Sequence, residues 1–102
     1  MNPTVAVFGI LRFPADRIAE VLPALRTLVE TTHRTDGCIA YDVAIDPFDP
    51  GLVRFSELWP SRESLALHLK ATHLGPWRAE ARRCGLLERK FKAYDVHGSS
   101  EV

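Results

Sequence analysis

His68 and Glu57 are the side chains of this sequence best suited to move a proton. Imidazole titrates near neutral pH, so a histidine beside an apolar pocket can serve as a general base. His68 stands three residues after Leu65 and one before Leu69, at the border of a helical apolar stripe. The bland alternative is a core-edge histidine with a backbone partner. Glu57 lies between Phe55 and Trp59 in strict alternation, so in a strand all three share a face. A buried carboxyl between two aromatics needs a partner, with Arg54, Arg78, Arg82 or a neighbouring backbone group as candidates, or it stays unpaired with a raised pKa and can accept a proton. Phe55 and Trp59 are either plain core or a flat wall for a planar ring. Tyr41 and Tyr94 can hydrogen-bond a ring oxygen or simply pack in strands, and Trp77 can cover a pocket mouth or simply pack.

Metal and cofactor chemistry find less support. On a regular helix His73 lies about 140° round from His68, so the pair is not an i, i+4 metal clip, and Cys84 is too distant to complete one. No metal site is expected. There is no GxGxxG, P-loop, nucleophile elbow or EF-hand loop, so no nucleotide cofactor is expected through those motifs. Two cysteines, Cys38 and Cys84, are too few for a disulfide scaffold and read as reduced, packed thiols.

The elements that must position these residues occupy 102 residues, the size of one domain. Thirteen basic and 13 acidic residues give a net charge of zero, which argues against nucleic acid or an anionic membrane as partner. Hydrophobic residues make up 46% and charged residues 25%, values that exclude a disordered chain. The apolar run Val5–Leu11 has no basic residue before it and no cleavage site after it, and no segment approaches the ~20 apolar residues of a membrane span. A cytoplasmic location is expected by default.

Val5–Phe13 reads as a strand apolar on both faces, which predicts that both are covered. Asp16 is the expected N-cap of a long amphipathic helix whose stripe runs Ile18, Val21, Leu22, Leu25, Leu28, Val29, kinked at Pro23. After Asp36-Gly37, Ile39–Ile45 and Val53–Trp59 form two strands joined by the turn-rich stretch 46–51. Ser61 caps a second helix with Leu65, Leu69 and Thr72 on one face; Gly75-Pro76 breaks it, and a short piece from Trp77 to Cys84 closes at Gly85. Leu87–Val96 is the last strand, charged enough to be an edge. Gly9 marks a bulge or a place where a ligand comes close. The order β-α-β-β-α-β predicts an α+β, ferredoxin-like fold: one antiparallel sheet with helices on one face. Residues 1–98 form the domain and 99–102 a flexible tail. The bare sheet face then needs a lid, most simply a second copy of the sheet in a homodimer.

The stretch Gly37-Cys38-x-x-Tyr41, then Phe55-x-Glu57-x-Trp59-x-Ser61, then Leu65-x-x-His68 and His73, resembles the antibiotic biosynthesis monooxygenase family, most closely its quinol monooxygenase branch. The likeness covers nearly the whole chain in the same element order, and it implies a dimeric α+β barrel.

It also implies chemistry. Many members oxidise an electron-rich phenol, anthrone or quinol with dioxygen and use no metal, flavin or haem. The deprotonated substrate itself passes an electron to oxygen, so the protein supplies a dry pocket, orientation and a base. On that reading His68 and Glu57 are the catalytic residues. Trp59, Phe55, Tyr41, His73 and Trp77 bind substrate, no cofactor is required, and the partners are a small aromatic, dioxygen and a second copy of the chain. The family also holds isomerases of small carbonyl compounds, so two further readings stay open: a proton-transfer enzyme using His68 or Glu57, and a non-catalytic ligand-binding dimer. The haem-degrading branch carries an Asn on strand one, a Trp on the second long helix and a later His. Here strand one has no Asn, and His68 and Arg78 stand at the other two positions, so haem degradation is not expected.

Overall fold

Four segments rich in β-branched and aromatic residues pair into one antiparallel sheet in the computed structural model, which describes residues 2–102. Met1, the first residue of the expected domain, lies outside them. The strands are β1 (Val5–Arg12), β2 (Ala40–Ile45), β3 (Leu52–Trp59) and β4 (Glu88–Asp95), in spatial order β2-β3-β1-β4. The apolar β1 lies inside the sheet, with Val7 opposite Glu57 of β3 on one side and Ala93 of β4 on the other. The charged β4 is an edge, as its sequence predicts.

Three helices among the described residues complete the fold: α1 (Ile18–Thr35), α2 (Arg62–Leu69) and α3 (Leu74–Arg83). They cover one sheet face. Val5, Val7, Leu11, Val53 and Phe55 of the sheet share a buried core with Val21, Leu25 and Leu28 of α1. On the opposite face Phe8 and Tyr94 pack together with ring centroids 6.0 Å apart, yet remain 55% and 45% exposed. This is the expected ferredoxin-like α+β architecture.

Local chemistry explains most boundaries. The Ser61 hydroxyl accepts the Ser64 N–H at 3.0 Å and starts α2 as expected. Gly85, at φ +85°, closes α3 where a side chain would be strained. α1 continues without a break through Pro23.

Four expectations need correction. Asp16 does not cap α1. It lies in a 3-10 turn, Ala15–Arg17, that runs directly into the helix and leaves Arg17 at the N-cap with no side-chain cap. Gly75-Pro76 does not break the second helical segment. The break falls at 70–73, and both residues open the first turn of α3, where a missing N–H has no intrahelical partner to lose. On α2, Leu69 and Thr72 do not follow Leu65 inward: Leu69 is half-exposed, while His68 is buried beside Leu65 because the helix ends before another turn is complete. Gly9 sits in unbroken register with Phe55 and Phe91, so it is not a bulge. The Phe91 ring occupies its missing side-chain space, 2.2 Å from where a Cβ would stand.

Candidate active site

A cavity of about 510 Å³ opens between the sheet and helices α2 and α3. Its floor is aromatic and aliphatic. Phe55 and Phe91 meet edge to face with centroids 5.1 Å apart, and Tyr41 lies 6.1 Å from Phe55. Its roof is one face of α3, presented by the spacing Leu74, Trp77, Arg78, Ala81, Arg82. Besides the Tyr41 phenol, two ionisable groups reach it from the buried interior, Glu57 and His68.

His68 is held by a carboxylate 32 residues away. Its Nδ1 lies 2.7 Å from Oδ2 of Asp36, and Nε2 of His73 lies 2.8 Å from the same oxygen. The other carboxylate oxygen of Asp36 accepts the Thr35 hydroxyl at 2.7 Å. Asp36 itself is fixed as the residue that ends α1, its N–H bonded to Thr32 O at 3.1 Å. With Nδ1 turned to a carboxylate, the neutral ring of His68 carries its proton there and leaves Nε2 as the basic nitrogen. The ring is clamped by aromatics, its centroid 4.8 Å from Trp59 and 5.4 Å from Tyr41.

The electrostatics follow from burial. Desolvation pushes the His68 pKa below the ordinary histidine value, and the hydrogen bond to Asp36 opposes it. Burial works to raise the Asp36 carboxyl, but hydrogen bonds from His68, His73 and Thr35 together hold it below its usual value. Burial raises Glu57 against the Trp59 hydrogen bond and the nearby charge of Arg89. Burial likewise raises the Tyr41 phenol, so it is a donor rather than a base.

Of the residues singled out from the sequence, His68, Glu57, Phe55, Tyr41 and Trp77 all line this one cavity. Trp59 does not. It is fully buried behind His68, where its indole N–H donates to Glu57 Oε1 at 2.9 Å. It is core that supports the two polar groups, not a substrate wall. His73 also lies outside the cavity, since its ring is spent on Asp36. The 140° separation from His68 does not apply: the helix stops at Leu69, and the bend brings the two rings to 6.2 Å. Glu57 is not paired with Arg54, Arg78 or Arg82. Arg54 projects from the opposite sheet face to Asp46 at 2.7 Å, and the Arg78 guanidinium donates to Leu69 O at 3.1 Å. Tyr94 lies on that opposite face with Phe8. Asp36 escapes sequence reasoning altogether, because Asp36-Gly37 reads only as a turn.

The expectation of no metal-ligand cluster needs revision too. Asp36, His68 and His73 each offer a ligand atom, all within 4.8 Å of one another. Two histidines and a carboxylate can hold a transition metal. The observed nitrogen–oxygen separations are those of direct hydrogen bonds, which protons satisfy. A zinc ion ~2.0–2.2 Å from each atom would require them to spread.

A family model described as antibiotic biosynthesis monooxygenase matches residues 4–80 of the chain. Solved structures share the fold over almost its full length. A Deinococcus radiodurans protein described as a candidate antibiotic biosynthesis monooxygenase is 22% identical with a TM-score of 0.88, covering 96% of this chain and 97% of that one. A conserved protein from Methanosarcina mazei Go1 is 22% identical with a TM-score of 0.82, covering 91% and 92%. A structure described as an antibiotic biosynthesis monooxygenase is 29% identical with a TM-score of 0.82, covering 92% and 99%. No curated protein sequence matches the chain.

Proposed function

The chain belongs to the antibiotic biosynthesis monooxygenase family, and from that premise we propose that it is a cofactor-independent monooxygenase acting with dioxygen on a small electron-rich aromatic such as a quinol, phenol or anthrone. The observation that carries this is the pairing of His68 with Asp36 at the wall of a cavity lined by Phe55, Phe91 and Tyr41.

The aromatic walls accept a planar ring. His68 Nε2 takes a proton from the substrate hydroxyl or its activated carbon. Asp36 stabilises the imidazolium that forms, without itself taking the proton. Tyr41 is kept protonated by burial and stabilises the substrate anion as a hydrogen-bond donor. Glu57, also raised by burial, is the second proton acceptor within the cavity. The anion passes an electron to dioxygen, and the resulting radicals recombine. One oxygen atom enters the product and the other leaves as water, so substrate plus dioxygen gives oxidised product plus water.

The working unit on this proposal is a homodimer. Phe8, Tyr94 and Ile10 leave an apolar strip across the uncovered sheet face, a surface that monomers seldom expose.

Oxygen uptake with a panel of reduced quinones and anthrones, in chelator-treated buffer, tests the proposal. The wild-type protein consumes oxygen with at least one of them, and His68→Ala lowers the rate by about 10²–10⁴-fold, the usual contribution of a positioned base. Substrate turnover without oxygen loss identifies a proton-transfer enzyme instead and refutes the oxygenase.

A further inference from the structure

We infer that the aromatic ligand of this cavity carries a carboxylate, received at the cavity's rim by Arg78, Arg82 and Arg89. The inference rests on the cavity being the substrate site, as proposed above, and it narrows the substrate class.

The distribution of ion pairs singles out these three arginines. Arg12, Arg17, Arg54, Arg62 and Arg83 each lie against a carboxylate of the chain. Arg78, Arg82 and Arg89 line the cavity, are exposed, and form no ion pair among the described residues. The remaining two, Arg26 and Arg34, belong to α1 and do not line the cavity. In a chain of zero net charge, three unpaired guanidinium groups thus collect at one place. The one acidic residue lining the cavity is Glu57, which is deep and bonded to Trp59.

The placement is built by two elements. Arg78 and Arg82 are four residues apart on the α3 face that also presents Trp77 and Ala81. Arg89 comes from β4 opposite Leu11, its guanidinium 4.5 Å from the Phe91 ring centre. That contact lays the charge along the aromatic wall, and Arg89 acts on Glu57 from there. Lys92 does not join the set, because its ammonium turns to Tyr94 on the far face.

Guanidinium forks match a planar carboxylate in two-point contact, which favours this anion over a diffuse one. A ligand anchored there by its carboxylate projects its ring inward, toward Tyr41, Glu57 and His68. The rim thereby fixes which end of the ring meets the base.

Binding of 2-naphthoate and of its neutral isostere 2-naphthamide, measured by calorimetry, tests this. Neither probe is a substrate for oxidation, so the result is independent of turnover and can fail while the oxygenase proposal stands. The carboxylate is expected to bind about tenfold tighter, a charge-assisted contact discounted for an exposed rim, and the preference shrinks as salt is added. The double variant Arg82→Gln/Arg89→Gln, checked for an unchanged melting temperature, should lose that preference. Equal affinity for the two probes, a preference for the amide, no binding of either, or a preference that survives in the folded double variant overturns the inference.

Discussion

Replacing Asp36 by asparagine removes one charge and keeps the shape. In the native protein Oδ2 accepts from both histidines at 2.7 and 2.8 Å, and the side chain is only 7% exposed. The substituted side chain can keep its oxygen toward the histidines and turn its amide to the Thr35 hydroxyl. Two charge-assisted bonds then become neutral ones, at a cost of about 1 kcal/mol each, or about 2 kcal/mol in all. For a chain of this size the melting temperature falls by roughly 10 °C. The loss depends on pH in a definite sense. Asp36 is held below its ordinary pKa in the folded state, so its contribution is complete above that ordinary value and disappears as pH falls through the folded one. The variant's deficit should therefore be largest at neutral pH and shrink in acid. His68 responds as well. Burial already lowers its pKa and Asp36 opposes this, so Asp36→Asn lowers it further and moves the acid limb of kcat/KM to lower pH. The rate should drop by about 10–100-fold, part of what a positioned base supplies. Nitrogen-15 NMR of the wild type should find neutral His68 with its proton on Nδ1. A variant that loses stability but keeps the wild-type rate and acid limb, or a wild-type ring protonated on Nε2, would refute the positioning role of Asp36.

Other perturbations separate packing from chemistry. Glu57→Gln keeps an oxygen for the Trp59 indole and removes the buried charge; because the folded pKa of Glu57 is raised, native Glu57 costs stability as pH rises above its unfolded value. The variant should melt higher than wild type at neutral pH, with the gain fading toward pH ~4.5, and an equal or lower melting temperature at pH ~7 would contradict the assignment. Gly9→Ala drives a methyl group into the Phe91 ring and should cost about 1–3 kcal/mol in denaturant unfolding, whereas a neutral result would mean that the ring is loosely held. Light scattering at micromolar concentration should give twice the 11.4 kDa chain mass, and a monomer would remove the lid proposed for the Phe8 face.

How far the site can be read from the chain depends on whether a signal is local. Alternation in Phe55-x-Glu57-x-Trp59 is local, and it correctly places three side chains on one face. The stripe of α1 is local in the same way, although its Leu22 stays 43% exposed, and so is the Ser61 cap. What occupies the far end of each side chain is not. The alternation that buries Trp59 is equally compatible with a cavity wall, and only the packing of α2 against β3 puts His68 between it and the open space. Asp36 joins His68 across 32 residues because the end of α1 and the end of α2 meet, which no periodicity records. The bend at 70–73 has a competing signal in Gly75-Pro76, and the first turn of a helix accepts both residues without penalty. Gly9 carries a correct sign of close approach, but the approaching group is Phe91.

The most direct test of a monooxygenase here is turnover under oxygen-18 gas, with chelator present, using whichever reduced quinone or anthrone supports oxygen uptake. One labelled atom should appear in the organic product and its counterpart in water, in proportion to substrate consumed, with no peroxide accumulating. An unlabelled product, or labelled hydrogen peroxide in equal amount to substrate oxidised, would mean that the protein transfers only protons and electrons, and would contradict its proposed function.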